Sequence, residues 1–336
     1  MLFRSSIAES YAATEAVISH DESSRNQVTA FAIGPDDRYY CCGKEDGSVV
    51  IHESTDGKKN RKVCNHAATS SVMLVAWSQS GRYLVSSDDS GRVISKRLEL
   101  KEGGKWAVFP GMDVRISEAV KQFVFSNDEK LLLISTPSKD LVWDLKGKKE
   151  ICSQRHRQRE DGRWITDHMN PEMILWIECG KVCSYTWATL ETETDSSPAS
   201  DVVGLANGTG GHIRGIVLSS DKRSLIYETL PTNSEGGPQV SILSTSSLSH
   251  SWEVDLSGQV KRLIGAFQNS IVFLDHDYWV CTWELEARSS DVKRHFFLPK
   301  DWLNTSTLQM ATLNEEGTFF CPKFGHVIIV RNGMKI

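Results

Sequence analysis

The chain has no surplus of basic charge. Lys and Arg number 38 against 43 Asp and Glu, and 38 − 43 leaves a formal net charge of −5. Nucleic acid is therefore not the expected partner, because phosphate binding calls for a concentrated basic surface. Long apolar runs are also missing: stretches such as Leu131 to Ile134 and Ile271 to Leu274 fall far short of the ~20 residues a membrane helix needs, so no membrane role is expected. The eight cysteines are scattered, two of them adjacent as Cys41-Cys42, with no disulfide-like or CxxC spacing. Reduced thiols of an intracellular, cytoplasmic protein are the expectation, with the nucleus as the alternative compartment. The opening MLFRSSIAESYAAT is poor as a secretory signal, and residues 1–13 read as a frayed, flexible tail. Neither GxxxxGK[ST] nor GxSxG occurs, which removes the local signatures of a nucleotide cradle and of a serine hydrolase.

What is present is repetition. The 336 residues are 40% hydrophobic and 24% charged, an ordinary globular balance with enough apolar material for a large core. Phe31 to Glu53, FAIGPDDRYYCCGKEDGSVVIHE, reads as three short strands joined by tight turns at Gly34-Pro35-Asp36-Asp37 and Lys44-Glu45-Asp46-Gly47, since period-two apolar residues between Gly, Pro and Asp clusters are the strand and turn signature. Altered copies follow at Val75 to Ile94, Phe123 to Leu145, Ile216 to Leu230 and Met310 to Val330, with weaker ones at Ile165 to Trp187 and Leu263 to Leu285. Taking Phe31, Trp77, Phe125, His168, Leu218, Gly265 and Leu313 as equivalent, the steps are 46, 48, 43, 50, 47 and 48. A unit of ~40–50 residues with about four strands is the pattern of a β-propeller blade. Seven copies predict an all-β, seven-bladed propeller over residues 14–336. The last copy runs out after its third strand, and the strand-like run Ala16 to His20 is expected to supply the fourth, protecting edges that would otherwise be exposed.

Over nearly its whole length the chain resembles the WD40 family. The signature dipeptide stands at Trp143-Asp144, with Trp283-Glu284 and Trp187-Ala188 as approximations. The resemblance implies blades pinned by a His before the first strand, a Ser or Thr on the second, an Asp in the next turn and a Trp on the third. His20 and His66 fall at the His position on a step of 46, Asp46 and Asp88 or Asp89 in the Asp turn. His52, and Ser95 or Lys96, stand where Trp is expected. A narrower similarity lies in Arg294-His295-Phe296-Phe297-Leu298-Pro299-Lys300-Asp301-Trp302-Leu303, followed by Cys321-Pro322, Gly325 and Val330-Arg331-Asn332-Gly333. It resembles the end of the degenerate WD40 regions of fungal NACHT-type STAND proteins, which are NLR-like and related to vegetative-incompatibility proteins. That resemblance implies a sensor module and a NACHT-type NTPase partner supplied elsewhere.

Candidate sites are few. Gly204 to Gly215 is glycine-rich but precedes a strand and lacks the Lys-Ser/Thr of a phosphate cradle, so it reads as a connection. The polar run Glu191 to Asp201 reads as a mobile loop or a phosphorylatable segment. His168, Cys179 and Cys183 lack the close pairing zinc prefers and read as packed side chains, and the Asp-rich turns lack the alternating ligands of a calcium loop. No cofactor, metal or catalytic residue is assigned. The stretch Arg155-His156-Arg157-Gln158-Arg159 leading to Arg163-Trp164 is the candidate binding surface, expected on the same face as the Asp46 turn. Arg155, Arg157, Arg159 and Arg163 beside Trp164 suit an acidic or phosphorylated peptide, because guanidinium grips such groups bidentately. Trp106, Trp252 and Trp302 are further candidates for exposed aromatic contacts. The expected function is a non-catalytic scaffold for protein or peptide partners, against a STAND-type ligand sensor or a propeller hydrolase with a central-channel site.

Overall fold

The computed structural model describes residues 15–18, 26–155, 162–178, 181–191, 211–231, 237–245, 251–254, 256, 258–285 and 291–334. Among them are seven antiparallel sheets, which make the fold an all-β, seven-bladed β-propeller. Six sheets have four strands, and the fourth, built from Arg163–Thr166, Met173–Glu178 and Lys181–Thr186, has three among the described residues. The first blade runs Val28–Ile33, Tyr39–Lys44, Ser48–Glu53 and Lys59–Asn65, each strand bonded to the next in the chain. The seventh departs from that order. Its strands Thr312–Leu313, Phe319–Lys323 and His326–Arg331 are completed by Glu15–Ile18, with Glu15 opposite Arg331 and Ile18 opposite Ile328. The N-terminal run thus completes the last sheet, as expected of a strand-like run with no blade of its own, over Glu15–Ile18. Two compact units comprise the chain: residues 1–125, 129–150 and 302–336 in one, 126–128 and 151–301 in the other.

The second strands of the blades are buried along most of their length. Tyr39–Lys44 and Ser270–Asp275 are buried at every position, whereas the outer strand Lys59–Asn65 has a single buried residue, Val63. Apolar side chains of one blade therefore pack against the next: Cys41, Val49 and Ile51 meet Val72, Val75 and Leu84 in the first unit. Ile226, Val240 and Ile242 meet Leu263, Ile271 and Phe273 in the second. The turns are equally regular. Gly47 and Gly91 take φ of +78° and +79° and donate their N–H to the carbonyls of Lys44 and Asp88, each at 3.1 Å. Tyr278 takes the same place in blade six at φ +69°, bonded to the Asp275 carbonyl. Glycine is the residue that adopts this left-handed conformation without a Cβ penalty.

The turn geometry corrects two expectations. Gly34 N donates to Tyr39 O as Ser78 N does to Tyr83 O, so Ile33, not Phe31, is the counterpart of Trp77, and the step from blade one to blade two is 44 residues. Because Gly47 matches Gly91, Lys44 holds the position of Asp88, and Asp46 matches Ser90. Asp46 is half-buried and accepts from Asn26 Nδ2 (2.8 Å), Ser48 N (3.0 Å) and Ser48 Oγ (2.6 Å). His20 lies outside the described residues, and on a step of 44 His66 corresponds to position 22.

Blade two carries the polar pin that the family resemblance implies, less its Trp. His66, 3% exposed, places Nδ1 3.1 Å from Asp88 Oδ2 and Nε2 2.9 Å from Ser86 Oγ. A carboxylate only accepts, so Nδ1 carries the proton, and Nε2 accepts from the Ser86 hydroxyl. Burial would raise the Asp88 carboxyl, but donors from Ser90, Arg92 and His66 hold it below its ordinary value, while burial lowers the His66 imidazole against the pull of Asp88. At the Trp position, opposite Leu84 as Trp143 is opposite Leu132, stands Lys96; its neighbour Ser95 is buried and accepts from Met112 N at 2.8 Å.

Two outcomes are expected. Asp88→Ala, which orphans a buried imidazole N–H, destabilises by about 1–3 kcal/mol, and Asp46→Ala by about 1 kcal/mol or less, in urea unfolding. His295, 6% exposed and bonded through Nε2 to Thr282 Oγ1, is depressed to about 4, chiefly by burial with a contribution from Lys293. The fold then binds fewer protons than the unfolded chain between about pH 6.5 and 4, so stability present above that window is lost as pH falls through it. In thermal melts the variant His295→Gln gives a shallower fall across the same window than the wild-type chain.

Candidate functional site

The predicted patch lies only in part within the described residues, and its aromatic member is not at the surface. Arg155 is exposed at the end of the strand Lys149–Arg155. Arg157 and Arg159 lie outside the described residues. Trp164 is wholly buried, with its ring centroid 5.1 Å from those of Trp176 and Tyr185. It sits opposite Trp176 across the first strand pair of blade four and is a core side chain, because a strand position directed between sheets is shielded by its neighbours. Trp106 is also buried, 7% exposed, edge-on to Tyr39 and tilted against Trp77. Trp302 is half-buried in a short 3-10 turn, and Trp252 lies in the strand Ser251–Val254. Cys179 is outside the described residues. Among those described, no group of three or more His, Cys, Asp or Glu could hold a metal ion, and no helix is long and apolar enough to cross a membrane.

Arg163 belongs to a different constellation, built by an irregularity that no composition or period announces. In blades one, two and five the first strand carries one extra residue relative to its partner, Thr29, Met73 and Arg214, and in blade six it carries two, Lys261 and Ile264. A bulge of this kind bends the strand and re-aims a side chain. Thr29 Oγ1 uses it to reach Val72 O at 2.6 Å, and Arg214 Nη1 to reach Lys261 O at 3.3 Å, each bridging to the first strand of the following blade.

Next to the Arg214 bulge is a buried ion cluster. Glu228, on Ser224–Pro231, is 0% exposed and sits opposite Gly215 of the first strand, Gly211–Leu218. Its Oε1 accepts from Arg214 Nη1 at 3.3 Å, and its Oε2 from Arg262 Nη1 at 3.1 Å and Leu263 N at 3.4 Å. Arg262 belongs to Val260–Phe267, the first strand of blade six. Burial raises the Glu228 carboxyl, with Arg262 and Arg214 opposing. Burial also lowers the Arg262 guanidinium; Glu228 steadies its charge, and Arg214 and Arg163 repel it. Three arginines on the first strands of three successive blades thus share one electrostatic neighbourhood. Such a site can hold or exchange an acidic group; it has no nucleophile–base pair.

The family model for the WD domain, G-beta repeat, matches residues 57–94. Those residues are similar to a WD40 repeat. The match takes in the last strand of blade one and the first strands of blade two, the stretch holding His66, Ser86 and Asp88. It is the stretch that holds the buried polar pin found among the described residues. Together with the seven sheets it supports a WD40 β-propeller. No curated protein matches the chain.

Removing the Glu228 carboxylate leaves two arginines without their counter-charge, one of them buried. Glu228→Ala is expected to destabilise by about 3–5 kcal/mol in urea unfolding, the scale for breaking a buried pair from one side. Glu228→Gln, which keeps an acceptor, costs less.

Proposed function

We propose that this WD40 propeller is a non-catalytic, cytoplasmic interaction module whose partners are proteins or peptides with acidic or phosphorylated groups. WD40 propellers are in general protein-interaction scaffolds and not enzymes, and the observation that carries the reading is the joining of a seven-bladed fold with a matched WD40 repeat. The charge of the partner is inferred from the arginines that the chain concentrates between Arg155 and Arg163, against an overall net charge of −5, since a local basic stretch on an acidic protein selects for anionic groups. Arg155 is exposed and so available for such contacts. Trp164 is removed from the binding surface, its place being in the blade core.

A second reading, a ligand-sensing module of a fungal STAND system, rests on the C-terminal resemblance. In that stretch Arg294 bonds Asp275 at 2.7 Å and Asp277 at 2.8 Å, and Asn304 and Thr307 form a capping box. These contacts give it a structural use of its own within a propeller. The sensor reading predicts recovery of a NACHT-bearing chain with this one.

The test of the primary reading is affinity recovery of partners with the wild-type chain and with the triple variant Arg155→Ala, Arg157→Ala, Arg159→Ala. A partner lost from the variant, with its thermal melt unchanged, is the expected result. Equal recovery removes the arginine stretch from the interface, and a NACHT-type partner recovered equally by both transfers the weight to the sensor reading.

A further inference from the structure

The guanidinium of Arg262 is half used. Nη1 donates to Glu228, but Nε is buried and has no hydrogen-bond partner, although the residue is only 9% exposed. A buried donor left unmade carries a desolvation cost that a ligand oxygen can relieve. Nε and Nη2 lie along one edge of the planar group, the edge suited to two parallel oxygens. Arg92 shows that edge filled: its Nε donates to Asp113 Oδ1 at 2.9 Å and its Nη2 to Asp113 Oδ2 at 2.7 Å. No described side chain does this for Arg262.

Space exists beside it. A Cβ placed on Gly215 would stand 3.7 Å from Glu228 Oε2 and 3.9 Å from Arg262 Nη2, with no other atom of the described residues within 4 Å beyond its own chain neighbours. The absent side chain therefore leaves a gap about the size of a methyl group against the Nη2 end of the open edge. The carboxylate bonded to Arg262 is itself shared: Glu228 also accepts from Arg214.

We propose that the Nε/Nη2 edge of Arg262, approached through the gap at Gly215, is a receptor for a single oxyanion, a carboxylate or a phosphate group carried by an acidic ligand. One oxygen meets Nη2 in the gap and the second meets Nε, as the Asp113 oxygens meet Arg92. The site is formed by residues of the second unit and needs neither Arg155 nor the stretch that follows it, so it stands or falls apart from the partner-recovery experiment.

The experiment is a titration of the full chain with sodium acetate and, separately, with inorganic phosphate at constant ionic strength, following arginine Nε–H signals by proton–nitrogen correlation spectroscopy. The Arg262 signal is identified by its loss in Arg262→Lys. A saturable displacement of that signal is expected, and the anion giving the tighter titration assigns the group as carboxylate or phosphate. Gly215→Ala fills the gap at ordinary van der Waals distance from both charged residues, with no clash, and is expected to weaken binding about ten-fold or more, the equivalent of one hydrogen bond to a charged group. Glu228→Gln, which removes the competing negative charge, tightens it. Absence of a saturable displacement with both anions, or equal affinity in Gly215→Ala with its backbone amide spectrum otherwise preserved, overturns the proposal.

Discussion

A strand buried on both faces cannot be satisfied by its own sheet, and every blade of this protein contains at least one. Tyr40, Leu132, Ile174 and Phe273 are 0% exposed although each belongs to a sheet a single layer thick. Within each unit the apolar surface of one blade is covered by its neighbour, which presents the same demand in turn. From this constraint follow the near-constant repeat length, the exposed character of the fourth strands, and the use of Glu15–Ile18 to complete the seventh sheet.

Polar groups placed between blades are admitted only when their bonds are met. His66, Asp88 and Ser86 satisfy one another in a site that water does not reach, and the turn amides of Ser90 and Arg92 complete the aspartate. Glu228 is served by two guanidiniums and a backbone amide. The two clusters differ in balance. In the first each charge or dipole has its answer, and the result is a rigid pin; in the second the guanidinium donors outnumber the carboxylate that faces them, and Nε of Arg262 is left over. A surplus donor in a buried place is a weakness for folding and an opening for recognition.

Much of the fold was legible because period-two alternation and Gly–Asp turns are local signals. The number of blades, the place of the turns and the N-terminal contribution to the last sheet could all be read from them. Register was harder. Phe31 and Trp77 look equivalent as aromatic residues ahead of a turn, but the hydrogen bonds of Gly34 and Ser78 set the step at 44, and this moved Asp46 out of the pin and put Lys44 there. Trp164 was misread for a related reason: an aromatic next to a run of arginines has the composition of a surface patch, while its strand position turns it toward Trp176 and Tyr185.

Sequence alone determined the class of this protein, an all-β repeat of seven four-strand units, because each unit writes its strands and turns in residues adjacent in the chain. Tertiary structure alone decided which polar residues meet. Arg163, Arg214 and Arg262 are 51 and 48 residues apart, and their neighbourhood arises only when first strands of successive blades come together. Bulges at Arg214 and Lys261 re-aim the side chains, and Gly215 leaves the gap. A bulge is one residue inserted in a pairing, a relation between two strands, and a single strand's sequence contains no record of it.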